Sequence, residues 1–432
     1  MTDTLSELLA GRWIDPDTDE IARVPVKDVH IAKSLAGDEA ALVKALGLPR
    51  PFAIITDQNT YEALGRRVEE ALEGLGAIIP IRLSGRPHPD ERTAAKIMRE
   101  GMRAGSWIGV GSGTINDLAK FCSARQGKRC AVFATAPSMN GYTSVNASIT
   151  VNGHKKTLPA QAPEGVFIDL EVFARAPARL IRAGFGDAIC RSTAEADWQL
   201  SHLLLGTEFK SAPFSLFADL EEAMVAEPEA LVAGNLAAVE RLARVLVLSG
   251  FGMTVCHSSA PASQGEHLIS HYMEMMHPVS WDPPLHGEQI AATTLVMARL
   301  QDQMLADGPP RLNAGTMTEA GMLRHYGAEI GAACWTEAAN KNFTATQTEA
   351  LQAILDARWP RMREKLKSRM RPAAAIEAAL RRIGAPTRYH DLNASRDFFA
   401  DAIWHAREIR NRYGFLDLAA DSGQLHPEKL MN

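Results

Sequence analysis

The constraint that narrows the fold most is a repeated change of periodicity between residues 52 and 137. FAIITD (Phe52–Asp57) is an apolar run of strand length, and YEALGRRVEEALEGL (61–75) carries Leu and Val at helical spacing. AIIPIRL (77–83) is a second apolar run, and DERTAAKIMREGMRA (90–104) is helical with acidic residues in its first turn. SWIGVGSGTINDLAKFC (106–122) combines a strand, a glycine turn and a helix, and RCAVFATAP (129–137) is another strand. Strands that alternate with helices in this way predict a parallel sheet with helices on both faces.

NASITVNGHKKTLPA (146–160) breaks the rhythm, with alternating residues about Asn152-Gly153, a hairpin-turn signal. GVFIDLEVF (165–173) is expected to be the last strand. Beyond Ala176 the strand signal almost disappears, and segments such as PEALVAGNLAAVERLARVLVLSG (228–250) predict helices. The fold class expected is therefore an α/β domain followed by an all-α domain, joined near residues 177–184. At 432 residues each part is long enough to bury its own core.

Three features of the α/β half suit a nucleotide. The turn Gly109-Val110-Gly111-Ser112-Gly113-Thr114 lies between a strand and a helix, where glycine lets backbone approach a ligand and the helix start offers free N–H groups. The pattern is not GxGxxG, and such turns also occur without a ligand. Asp57 ends the strand Phe52–Asp57, where a carboxylate can accept ribose hydroxyls and would disfavour a 2′-phosphate; the plain alternative is a loop aspartate. Thr135-Ala136-Pro137-Ser138 follows the next strand at the same sheet edge, with short side chains that suit a nicotinamide or ribose.

In the helical half, histidines gather: His257, His267, His271, His277 and His286 are five of the 13 in the chain. His267 and His271 share a helix face at i, i+4, and His286 returns after the break Trp281-Asp282-Pro283-Pro284. Such an arrangement suits a metal site or a proton relay, and an H-x-x-x-H pair allows both members to be ligands. The bland alternative is a polar helix face with loop histidines.

Composition excludes several classes. Net charge is −5 with no large basic block, which argues against a nucleic-acid surface. MTDTLSELLAG resembles no signal peptide, and no run approaches the roughly 20 apolar residues of a membrane helix. The five cysteines, Cys122, Cys130, Cys190, Cys256 and Cys334, form no CxxC and suit buried reduced thiols in a cytoplasmic protein.

Four stretches together resemble the glycerol-1-phosphate dehydrogenase branch of the iron-containing alcohol dehydrogenase and dehydroquinate synthase superfamily. They are GSGTINDLAK (111–120), TAPSMNGYTS (135–144), AGFGDAICRSTAEADW (183–198), and EHLISHYMEM with LHGEQIA (266–275, 285–291). Their order and spacing match from about residue 52 to the tail REIRNRYGFLDLA (407–419). The resemblance implies a Rossmann-like NAD(P)-binding domain over 1–178 and a helical metal- and substrate-binding domain over 179–432. It implies Asp187, His267 and His286 as ligands of one divalent ion, zinc, nickel or iron. His271 then faces substrate and, one turn from a ligand, suits relay of the alcohol proton. Asp187 also has a plain alternative as a helix cap. For the cofactor, NAD or NADP, the resemblance implies Asp57, Gly111, Gly113, Thr114, Ile115, Asn116, Asp117, Thr135, Ala136, Pro137, Ser138 and Ser144.

The implied reaction interconverts sn-glycerol 1-phosphate and dihydroxyacetone phosphate in the cytoplasm. The partners expected are a small phosphorylated polyol and further copies of the chain, without nucleic acid or membrane. One position departs from the family pattern TAPSxDG: Asn140 stands where the family has a substrate-contacting aspartate, and it can hydrogen-bond but cannot act as a base. Lys155, Lys156 and Arg191 are candidate phosphate contacts. The alternatives are a polyol dehydrogenase acting on an unphosphorylated substrate, a dehydroquinate-synthase-like cyclase that releases no NADH, and a nucleotide-binding descendant without turnover.

Overall fold

The computed structural model describes residues 3–151 and 154–431. Six parallel strands form one sheet in the order β1-β8-β5-β4-β2-β3. They are β1 (Asp28–Ala32), β2 (Phe52–Asp57), β3 (Ile78–Leu83), β4 (Ser106–Gly111), β5 (Arg129–Ala134) and β8 (Gly165–Asp169). Between β5 and β8 an antiparallel hairpin intervenes, β6 (Asn146–Val151) with β7 (His154–Pro159). Its expected Asn152-Gly153 turn lies outside the described residues.

Alternate residues of each strand serve opposite faces, as the period of two requires. Ala53, Ile55, Ile81, Leu83 and Trp107 pack against Ala94, Ile97, Leu118 and Ala119 of the helices Glu91–Glu100 and Gly113–Gln126. Phe52, Ile54, Ile108, Val110 and Phe133 pack on the other side against Val43, Val68 and Leu72 of Glu39–Leu46 and Arg66–Glu73. Helices thus cover both faces, and the central strands are apolar throughout because neither face meets water.

Two elements differ from the sequence expectation. β1 carries no expected strand signal; it is a short edge strand with one buried residue, so its pattern DVHIA alternates poorly. The run 165–173 is not one strand. Asp169 ends β8 and its carboxylate accepts the amide of Val172 (3.1 Å), capping the helix Leu170–Arg175.

After Asp169 every described element is helical. Packing divides the chain into Met1–Ala188 with Ser211–Ser258, and Ile189–Lys210 with Ser259–Asn432. A cut at 178/179 by element type and this cut by packing differ. The helix Leu236–Val255 groups with the sheet because Thr143 Oγ1 donates to Val247 O (2.7 Å) and Thr254 Oγ1 to Thr143 O (3.2 Å). The second unit has its own core, which includes Leu268, Tyr272, Met297, Leu355 and Phe415. No helix among the described residues is long and apolar enough to cross a membrane. All five cysteines are buried free thiols.

Candidate active site

The path of the chain through the sheet locates one candidate site. From β2 the chain moves outward to β3, then returns across β2 to β4 and on to β5. The order therefore reverses between β2 and β4, and ligands of open parallel sheets bind beyond the strand C-termini at such a point. Asp57 ends β2, Gly111 ends β4, and Thr135 follows β5. The three sequence-predicted segments thus meet at one sheet edge because adjacent parallel strands carry them.

Sterics explain the glycine turn. A Cβ on Gly111 would lie 2.5 Å from Ile115 Cβ, and one on Gly109 would lie 3.0 Å from Ala119 Cβ. Glycine is what lets the helix Gly113–Gln126 start so close to β4. No side chain caps that helix start and no acidic residue occupies its first turn, so its positive dipole end remains available to an anion. Ser112, Gly113 and Thr114 are half-exposed there, whereas Ile115 is part of the core. Asp57 accepts the amide of Thr60 through Oδ1 (2.8 Å), so this carboxylate also caps a helix.

The loop after β5 is held from three sides. Lys120, with no exposed surface, donates from Nζ to Gly141 O (2.8 Å), Asn146 O (2.5 Å) and Ser144 Oγ (3.1 Å). Its ammonium is 3.3 Å from Asp117, whose other oxygen accepts the amide of Ser148 (3.0 Å). Burial pulls the Lys120 ammonium below the usual lysine range, and Asp117 opposes that pull. Asn116 donates to Asp117 (3.2 Å) and Tyr142 OH donates to Ala136 O (2.6 Å). From the other sides, a Cβ on Gly184 would sit 1.6 Å from Pro137 O, and one on Gly250 2.3 Å from Thr143 Oγ1. Asn116, Asp117 and Ser144, expected at the cofactor, thus also hold this loop. Lys120 is a residue that sequence reasoning missed; its signal is one lysine among the apolar positions 118–122.

The loop also reaches Asp187. The amide of Asn140 donates to Asp187 Oδ2 (2.8 Å), and Asp187, 1% exposed, lies near the end of the helix Ala178–Ile189. His267 and His271 lie one turn apart on the helix Gly265–Met276, and His286 begins the helix His286–Met304. The ring of His267 is 5.9 Å from that of His271 and 5.2 Å from that of His286, and His271 is 6.3 Å from His286. Within the second unit, Cys190, Glu266 and His267 each offer a ligand atom, all within 4.8 Å of one another. His257 and His277 are exposed.

A buried carboxylate supports the histidine helix. Asp197 accepts the amide of Gly265 (3.0 Å), the amide of Phe415 (3.1 Å) and Gln301 Nε2 (3.2 Å). Burial, reinforced by the negative charge of Glu266, pushes its carboxyl up to about 7. A Cβ on Gly265 would lie 2.5 Å from Met297 Cε and 2.8 Å from Asp197 Oδ2, so any larger residue there must displace both side chains. Asp197 was also not anticipated, although it lies in the motif that contains Asp187.

Comparison with known proteins bears on the family and the fold. The family model for iron-containing alcohol dehydrogenase matches residues 30–177. A glycerol-1-phosphate dehydrogenase [NAD(P)+] of Thermococcus kodakarensis is 34% identical, over 63% of this chain and 77% of that protein. One from Bacillus velezensis is 29% identical over 87% of each chain. Among solved structures, glycerol dehydrogenase of Schizosaccharomyces pombe shares the fold, with a TM-score of 0.61 at 16% identity over 94% of this chain and 90% of that one. With the motif order, sheet topology and relatives in agreement, the chain belongs to the glycerol-1-phosphate dehydrogenase family of the iron-containing alcohol dehydrogenases.

Proposed function

We propose that the protein is a cytoplasmic, metal-dependent dehydrogenase that interconverts sn-glycerol 1-phosphate and dihydroxyacetone phosphate with NAD or NADP. The observation that carries this reading is the family match, with the pair His267 and His286 whose rings stand 5.2 Å apart and Asp187 taken as the third ligand. One carboxylate and two imidazoles suit zinc, nickel or iron and leave coordination positions open, as a catalytic ion requires. Five buried free thiols suit the reducing cytoplasm.

When bound, the ion supplies polarisation of the substrate's secondary hydroxyl and the nicotinamide supplies the hydride acceptor. The chain's own residues do the rest. The open helix start at Gly113 receives the pyrophosphate, Asp57 the ribose hydroxyls, and Thr135–Ser138 the nicotinamide end. His271, near both His267 and His286, accepts the alcohol proton and passes it to water. Asn140 has its backbone N–H engaged with Asp187, so its substrate contact falls to the side-chain amide. Residues of 1–178 hold the nucleotide, and Asn140 at least of the substrate; residues of 179–432 hold the ion. Of the candidate phosphate contacts, Arg191 is already paired with Glu195 (2.8 Å) and Lys156 is exposed.

The test is a panel of sn-glycerol 1-phosphate, sn-glycerol 3-phosphate and glycerol on metal-loaded protein with NAD and NADP, read as reduced nicotinamide. Turnover of sn-glycerol 1-phosphate above the other two is expected. Turnover of glycerol alone would move the assignment to an unphosphorylated polyol. No accumulation of reduced cofactor with any alcohol would overturn the dehydrogenase assignment.

A further inference from the structure

Glu266 is a fully buried carboxylate with no assigned role. It is the second residue of the helix Gly265–Met276, next to His267. Adjacent residues on a helix project about 100° apart, so contact between their side chains is not a default of the helix. Here the Glu266 chain turns toward the helix start, and Oε1 accepts from the amide of Gln264 (2.8 Å) and lies 2.9 Å from His267 Nδ1. Oε2 accepts from Thr193 Oγ1 (3.4 Å). An apolar side chain would fill the same volume without the desolvation cost of a buried charge. Packing alone therefore does not account for a carboxylate at this position.

An oxygen that already accepts a backbone amide acts as an acceptor toward His267 as well. Nδ1 of His267 therefore carries the proton, and its lone pair resides on Nε2. A carboxylate in that position fixes the ring's orientation and tautomer and makes the opposite nitrogen a better donor. A competing geometry exists on the same residues, because Cys190, Glu266 and His267 also have ligand atoms within 4.8 Å. In that arrangement the thiol, the carboxylate and Nδ1 would themselves enclose an ion. The contact of Glu266 Oε1 with both Nδ1 and the Gln264 amide favours the first arrangement, since an acceptor with two donors at 2.8 and 2.9 Å is already saturated.

We infer that Glu266 is a positioning residue: it holds His267 through Nδ1 and so presents Nε2 to the ion shared with Asp187 and His286. This rests on the metal-dependent reading above, and its test reads metal binding rather than turnover. Equilibrium competition against a chelator measures the Zn2+ affinity of wild type and of Glu266→Gln. The amide keeps an acceptor oxygen for the Gln264 N–H, so a merely structural cap is preserved, and unfolding of the apo forms checks this. The expected result is a 10–100-fold weaker affinity, with NAD affinity unchanged. Replacement of zinc by Co2+ is expected to give ligand-field bands that shift in Glu266→Gln, without a thiolate-to-cobalt band. An unchanged affinity in a folded variant overturns the role. A thiolate band in wild type that Cys190→Ser removes overturns it in favour of the competing cage. Where Glu266→Gln fails to fold, 15N resonances of histidine-labelled, zinc-loaded wild type decide: a protonated Nδ1 on His267 supports the role, and a protonated Nε2 overturns it. Wild type that binds no divalent ion refutes the proposed function itself, a different outcome from either.

Discussion

Gly184 is the position where one methyl group tests most of this reasoning. A Cβ there would lie 1.6 Å from Pro137 O, 2.7 Å from Pro137 C and 3.3 Å from Ser138 Cα. Normal carbon contacts are about 3.5–4.0 Å, so Gly184→Ala must drive the helix Ala178–Ile189 and the loop apart by about 1.5 Å or more. The obstacle is backbone, and no rotamer change relieves it. Overpacking costs about 1–3 kcal/mol, and an obstacle of this kind puts Gly184→Ala at the upper end. At about 2 °C per kcal/mol for a large domain, the apo protein should melt roughly 6 °C lower. The same displacement stretches the hydrogen bond from Asn140 N to Asp187 Oδ2, now 2.8 Å, past its useful range. Metal sites tolerate only about 0.2 Å in ligand position, so Zn2+ affinity should fall at least 10-fold, the lower bound for loss of an outer partner. Thermal unfolding of the apo form and chelator competition measure the two effects. Gly74→Ala is the control, since nothing lies within 4 Å of its Cβ; it should leave both unchanged or add about 0.4–1 kcal/mol. Wild-type melting and wild-type metal affinity in Gly184→Ala would refute the account of a loop that holds Asp187 in place.

Lys120→Met removes a charged donor shared by Gly141 O, Ser144 Oγ and Asn146 O, and should cost about 3 kcal/mol or more; denaturant unfolding at wild-type midpoint would contradict the clasp. Asp197 has a folded pKa of about 7, raised from 3.8. The native state therefore binds more protons than the unfolded one between those values, and this group's stabilisation, complete below the lower value, is lost as pH rises through the upper one. Three units at 1.36 kcal/mol each make that loss on the order of 4 kcal/mol. Asp197→Asn should flatten the fall in apo stability between pH 5 and 8, and equal slopes in both proteins would refute the shift.

Within the fold, the legible parts are those whose burial is simple. β2, β4 and β5 are covered on both faces, so their apolar runs stand out against flanking helices. β1 lies at the sheet edge and shows one buried residue in five, too weak an alternation to read. The run 165–173 looks like one strand because Asp169 sits in an apolar context, and only its bond to the Val172 amide shows where the strand ends.

The sequence by itself determined the α/β-then-helical order, the glycine turn, the terminal position of Asp57 and the gathering of histidines, because each is written in local spacing. Those are consequences of helix and strand periods, which any window of the chain carries. What only the tertiary structure decided is which charged residues act as buried supports. Nothing in local spacing distinguishes the buried Lys120, Asp197 and Glu266 from ordinary charged residues on helices. A charge becomes structural through the groups that surround it after folding, and for these three the partners include Asn146, Phe415 and Thr193, each distant in the chain. Burial and hydrogen-bond geometry, which exist only once those segments meet, assign the roles.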